Sequence, residues 1–128
     1  MPNSRDFIDH LLELARHAGQ PTARTMFGGH GLYVDKAIVA IVIDDTLYLK
    51  CDATTAPAFE ARDLAAFVYT TKDGQRIVMS YRRAPDEVLE SPDAMREWIR
   101  LAQGVALRVA AAKPVRRPAT LKRTPPEP

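Results

Sequence analysis

Seven consecutive apolar residues, Ala37-Ile38-Val39-Ala40-Ile41-Val42-Ile43, lie between two polar pairs, Asp35-Lys36 and Asp44-Asp45. The run is too short for a core helix and is rich in β-branched residues, so it reads as a strand. Two-residue connections on both sides leave room only for antiparallel hairpins. A strand that is apolar at every position predicts a central place in a sheet, covered at least in part on both faces. The next strand alternates: Leu47, Leu49 and Cys51 point one way, Tyr48 and Lys50 the other.

The rest of the chain follows from that sheet. Asn3 and Ser4 cap a helix in which Phe7, Ile8, Leu11, Leu12, Leu14, Ala15 and Ala18 recur at helical spacing, and Gly19 and Pro21 end it. Strands are predicted over Ala23 to Phe27, Gly31 to Val34, Ala37 to Ile43 and Thr46 to Cys51. A short helix over Ala56 to Arg62 leads to a second hairpin, Ala66 to Thr71 and Arg76 to Tyr81, turning at Asp73-Gly74. Pro85-Asp86-Glu87 opens one helical turn. Ser91-Pro92-Asp93 starts a last helix to about Ala111, with a buried stripe of Met95, Trp98, Ile99, Ala102, Val105, Ala106 and Val109. The order α-β(4)-α-β(2)-α describes an α+β domain: a two-layer antiparallel sheet with helices on one face, over residues 1–111.

Charge divides the chain at the same boundary. The formal net charge is +2, yet from Ala112 onward Lys113, Arg116, Arg117, Lys122 and Arg123 face only Glu127, which leaves residues 1–111 near −2. The domain therefore has no overall basic footprint. Residues 112–128 hold five prolines and no aromatic side chain, the composition of a basic disordered tail. No apolar run reaches the length of a membrane span and no secretory leader is evident, so a cytoplasmic location is expected. A lone cysteine, Cys51, suits a reducing compartment.

Catalytic candidates do not assemble into a set. Cys51 shares a face with Leu47 and Leu49, as a buried inert thiol does. His10 and His17 are seven apart on a helix, too far to share a metal, and His30 stands without an evident partner. Asp44-Asp45 has a sufficient role as a turn. The cluster Gly28-Gly29-His30-Gly31 lacks the Lys-Ser/Thr pair of a phosphate loop and has a strand where a dinucleotide fingerprint needs a helix. Its glycines read instead as positions of positive φ or close backbone approach. No enzymatic activity, metal, cofactor or small-molecule substrate is expected.

Binding candidates remain. Arg82-Arg83, placed after the last strand, with Arg76 forms either a cationic patch for nucleic acid or solvated charges that guard a sheet edge. Tyr33, Tyr48, Tyr69 and Tyr81 serve as stacking platforms only if they share an exposed face with basic residues; otherwise they pack across strands.

The segment Arg24-Thr25-Met26-Phe27-Gly28-Gly29-His30-Gly31-Leu32-Tyr33, the apolar strand and Leu47-Tyr48-Leu49-Lys50 resemble the N-terminal domain of the TfoX/Sxy competence regulators. The resemblance continues through Phe59, Ile77-Val78-Met79-Ser80-Tyr81, Ala84-Pro85-Asp86-Glu87-Val88-Leu89 and the Trp98 helix, from about Asn3 to Ala111. It implies a bacterial two-layer sheet domain without known enzymatic activity. Full-length members act as transcriptional coactivators alongside the cyclic-AMP receptor protein and carry a second domain, where this chain has its proline-rich tail. The resemblance nominates Arg24, Phe27, Gly28, Gly29, Gly31 and Tyr33 as motif residues, with a structural or a binding role. The leading expectation is a regulatory module that binds a protein, or itself, through a sheet edge or a helix face. The alternative is direct nucleic-acid binding through Arg82, Arg83 and the basic tail.

Overall fold

Helix α1 (Arg5–Ala15) starts at Ser4, whose Oγ accepts the Phe7 N–H at 3.1 Å. The computed structural model describes residues 3–26 and 29–112. The start of α1 is tied to a distant turn: Ser4 N–H donates to Asp45 Oδ1 at 2.7 Å and Asp45 N–H to Asn3 Oδ1 at 2.8 Å. That turn and its counterpart carry the predicted geometry. Asp35 and Lys36 have φ of 52° and 73°, and Asp44 and Asp45 of 51° and 56°. Left-handed backbone at both central residues matches the twist of the flanking strands.

These turns join β2 (Gly29–Val34) to β3 (Ala37–Ile43) and β3 to β4 (Thr46–Lys50), and β1 (Pro21–Met26) pairs with β2. After helix α2 (Ala56–Glu60) come β5 (Ala66–Thr70) and β6 (Arg76–Arg83). The six strands form one antiparallel sheet in the order β1-β2-β3-β4-β6-β5, so the second hairpin joins the first through β6 and leaves β5 at the edge. A 3-10 turn (Asp86–Leu89) then leads into α3 (Pro92–Ala112).

One face of the sheet is packed by the helices. Leu11 and Ala15 of α1 and Met95 and Ile99 of α3 meet Val42 and Leu49 in one buried cluster. Phe59 of α2 is fully buried against Trp98, ring centroids 5.1 Å apart and edge to face. Cys51 belongs to the same core.

Two expectations are corrected and a third is refined. The buried stripe of α3 stops at Val105; Ala106 is half-buried and Val109 exposed, because the last turns of this helix run past the sheet. Arg82 and Arg83 lie inside β6, which is an interior strand, so neither guards an edge. β3 is roofed by helices on one face only, and the partial cover of its other face, where Ile41 is 5% exposed, comes from side chains of the sheet itself. Leu32 pairs with Ala40 but Tyr33 with Ile38, which leaves Val39 as an extra residue in a β-bulge. Val39 and Ala40 both enter the core, and the shift in phase sends Ile38, Ile41 and Ile43 together to the side away from the helices.

Candidate functional site

The face of the sheet away from the helices gathers most of the nominated residues. Cross-strand register places Arg24 beside Gly31 and Ile41, Met26 beside Gly29, and Tyr33 beside Ile38. It also places Tyr48 beside Ile41 and Lys50 beside Tyr81. All four tyrosines therefore share this face with Arg24 and Lys50. The Arg24 guanidinium sits 5.4 Å from the Tyr33 ring centroid, and Lys50 Nζ 5.1 Å from that of Tyr81. Tyr48 packs on Phe67 at 4.9 Å, and Phe67 on Tyr69 at 6.3 Å. Burial, with a smaller contribution from Tyr33, pushes the Tyr81 phenol above its ordinary pKa and keeps it neutral.

Within this face is a concavity of about 430 Å³. Met26 of β1 borders it on one side and Phe67 and Tyr69 of β5 on the other, with Ile41, Met79 and Tyr81 between. A flat six-stranded sheet would hold its edge strands ~24 Å apart. The sheet instead wraps around this space, as expected when bulges interrupt both the β2–β3 and the β5–β6 ladders.

The motif glycines shape that curve. A Cβ on Gly29 would stand 2.3 Å from the Val42 carbonyl oxygen and 2.6 Å from Ile43 Cδ1. A Cβ on Gly31 would meet Met26 Sδ at 3.0 Å and Ile38 Cδ1 at 3.3 Å. Neither has a positive φ, so both serve close approach and not a turn. Phe27 and Gly28 lie outside the described residues, as do Lys113, Arg116, Arg117, Lys122 and Arg123 of the tail.

Other candidates are dispersed. Arg82 and Arg83 point to opposite faces of β6. Arg82 donates to the Leu64 carbonyl at 3.0 Å and pairs with Glu60 at 3.3 Å, while Arg83 pairs with Asp86 at 3.5 Å. The two do not combine into one patch. His30 Nδ1 accepts from Asn3 Nδ2 at 2.8 Å, and the same amide donates to the Val42 carbonyl, so His30 joins the strap that holds α1 to the β3–β4 turn. His10 Nε2 donates to the Leu89 carbonyl at 2.6 Å. Cys51 contacts Thr55 Oγ1 at 3.5 Å on the helix side of the sheet. Among the described residues, no group of three or more His, Cys, Asp or Glu side chains is placed to hold a metal ion, and no helix is long and apolar enough to cross a membrane.

One contact went unforeseen because it spans 56 positions in the chain. Arg108 binds Asp52 in a fork, Nε to Oδ2 at 2.7 Å and Nη2 to Oδ1 at 3.1 Å. Asp52 also accepts the Thr54 and Thr55 N–H groups. The Arg108 hydrogen bond, against a smaller opposing effect of burial, lowers the Asp52 pKa below the ordinary carboxylate value. A carboxyl whose folded pKa is depressed adds stability that is complete above its unfolded pKa, ~3.9, and fades as pH falls through the folded value. The Arg108→Gln chain should therefore melt below the parent at neutral pH, with the gap closing below about pH 4. Melting curves at a series of pH values check this; a gap constant down to pH 2 would argue against the pair.

A search against curated protein sequences gave no match. The profile of the TfoX N-terminal domain matches residues 13–106, a stretch that runs from α1 through all six strands into α3 and includes every motif residue of the open face. With the match covering most of the chain and this α+β sheet beneath it, the protein belongs to the TfoX N-terminal domain family.

Proposed function

We propose that this is a non-enzymatic regulatory module of the cytoplasm that binds a protein partner by strand addition at the β5 edge. The observation that carries the reading is the contrast between the two edges of the sheet. β1 begins with Pro21 and carries Arg24, two features that discourage pairing. β5 reads Ala-Phe-Val-Tyr-Thr, without charge or proline. Beside it Val78 is 64% exposed and Tyr69 44%.

The backbone groups that this edge offers follow from its ladder. Thr71 N–H donates to the Gln75 carbonyl and Ala65 O accepts from Arg83 N–H, so odd-numbered residues bond inward. By alternation, Ala66, Val68 and Thr70 turn their N–H and C=O groups outward. An extended segment of a partner laid along them would gain main-chain bonds, with Val78 and Tyr69 as apolar contacts.

A photo-crosslinking residue in place of Val78 should capture one discrete protein in bacterial cells. Thr70→Pro deletes an outward N–H at an exposed position and should cut that capture about tenfold, the worth of one or two hydrogen bonds. Equal capture in both backgrounds, or capture only from a label at exposed Leu107 on α3, would overturn the edge reading.

A further inference from the structure

The geometry points to a second site, next to the β5 edge and sharing Tyr69 with it: the concavity of the open face binds a small amphiphilic monocarboxylate, its apolar body against the isoleucines and methionines and its carboxylate at Arg24 beyond Met26. The volume, about 430 Å³, lies within the roughly 300–1,000 Å³ of small-molecule pockets, and its lining is apolar and aromatic.

Charge selects the head group. No strand of the sheet contains an aspartate or a glutamate. The acids of the domain sit on helices, turns and loops, while Arg24 and Lys50 stand on the concave face. Arg24 does not line the hollow itself: it stands exposed on the same face, two residues along β1 from the lining Met26 and in register with Gly31 and Ile41, with the Tyr33 ring beside it and no carboxylate partner among the described residues. At this exposed cation a carboxylate head gains charge-assisted hydrogen bonds that a neutral head does not, and a cationic head is repelled.

The aromatic side chains favour this occupant over single-stranded nucleic acid. Base stacking needs open ring faces. Here Tyr81 is 8% exposed, Arg24 covers Tyr33, Lys50 covers Tyr81, and Tyr48 and Tyr69 both pack on Phe67. Only Tyr69, 44% exposed beside the β5 edge, keeps an accessible ring, where stacking along a strand uses successive platforms; the rest of what remains open is the apolar space between the rings.

Decanoate, decanol and decyltrimethylammonium, each titrated below its micellar concentration into the full chain and followed by calorimetry, test the site. Decanoate should bind saturably with one molecule per chain, at least tenfold tighter than either of the others. Arg24→Gln should bring decanoate to the level of decanol with an unchanged melting temperature. Because a variant can lose its fold, the unmodified chain labelled at isoleucine methyl groups gives a second reading. Decanoate should shift Ile38, Ile41 and Ile43 and leave Ile99 in the core unmoved. Absence of saturable binding, equal affinity for decanol, indifference to Arg24→Gln in a folded chain, or isoleucine shifts produced by a single-stranded oligonucleotide and not by decanoate would each overturn the assignment.

Discussion

Phe59→Ala should lower the unfolding free energy by about 4 kcal/mol, within the range of roughly 3–5 for truncating a buried phenylalanine. The ring is fully buried and sits edge to face on Trp98, at the junction of α2, α3 and the sheet. The cost has three sources: lost transfer of the ring from water, the cavity left behind, and the aromatic pair, itself about 0.5–1.5 kcal/mol. Helix α2 has five residues and no side-chain cap, and Phe59 is its one buried residue, so little else holds it down. Since a domain of this size is stable by only about 5–15 kcal/mol, the variant should approach the edge of folding. Urea titration followed through Trp98, the single tryptophan and itself nearly buried, reads both the shift in midpoint and the exposure of its neighbour. Phe59→Leu refills part of the cavity and should lose less than half as much. If both variants unfold like the parent, α2 is not packed as described.

Local chemistry explains why most of this fold is legible from residues. Asp35-Lys36 and Asp44-Asp45 are short connections of turn-forming type, and both adopt left-handed backbone. Alternation in Leu47-Tyr48-Leu49-Lys50 assigns its faces correctly, because polar and apolar residues differ there. The bulge at Val39 has no such signal. In a run where every residue is apolar, a slip of one position leaves the pattern unchanged, so the face of Ile38 becomes visible only through its partner Tyr33. The same uniformity hides the concavity, since an all-apolar strand reads as partly covered on both faces whether the cover is a second layer or the curve of the sheet itself.

Long-range order was beyond sequence for a related reason. That β6 inserts between β4 and β5 depends on pairs such as Lys50 with Tyr81, and nothing near either residue encodes the partner. A strand that ends at Tyr81 leaves Arg82 and Arg83 together, as a patch or as edge charges; inside a strand they diverge. Arg24 and Tyr33 illustrate the opposite case. The resemblance names them as motif residues with a structural or a binding role, and the β1–β2 register brings them into contact.

Gly29→Ala should destabilise the domain by about 3 kcal/mol, the upper part of the usual range for overpacking. The obstacle is backbone. The Val42 carbonyl oxygen, 2.3 Å from the added Cβ, also accepts the Asn3 amide, and Val42 pairs with His30 in the β2–β3 ladder. Moving that oxygen away loosens the ladder and the strap that holds α1. Gly31→Ala meets a different neighbour. Its nearest contact is the sulfur of Met26, a flexible side chain on the edge strand that can turn aside, so the loss should be about 1 kcal/mol or less. Gly74→Ala has empty space around it and suffers only from its φ of +84°. The order Gly29 above both others, measured as urea midpoints at constant slope, distinguishes a glycine required by close backbone approach from glycines required by side-chain room or by conformation. A Gly31→Ala variant that unfolds more readily than Gly29→Ala would mean that β2 and β3 are not held as closely as the Gly29 contact demands.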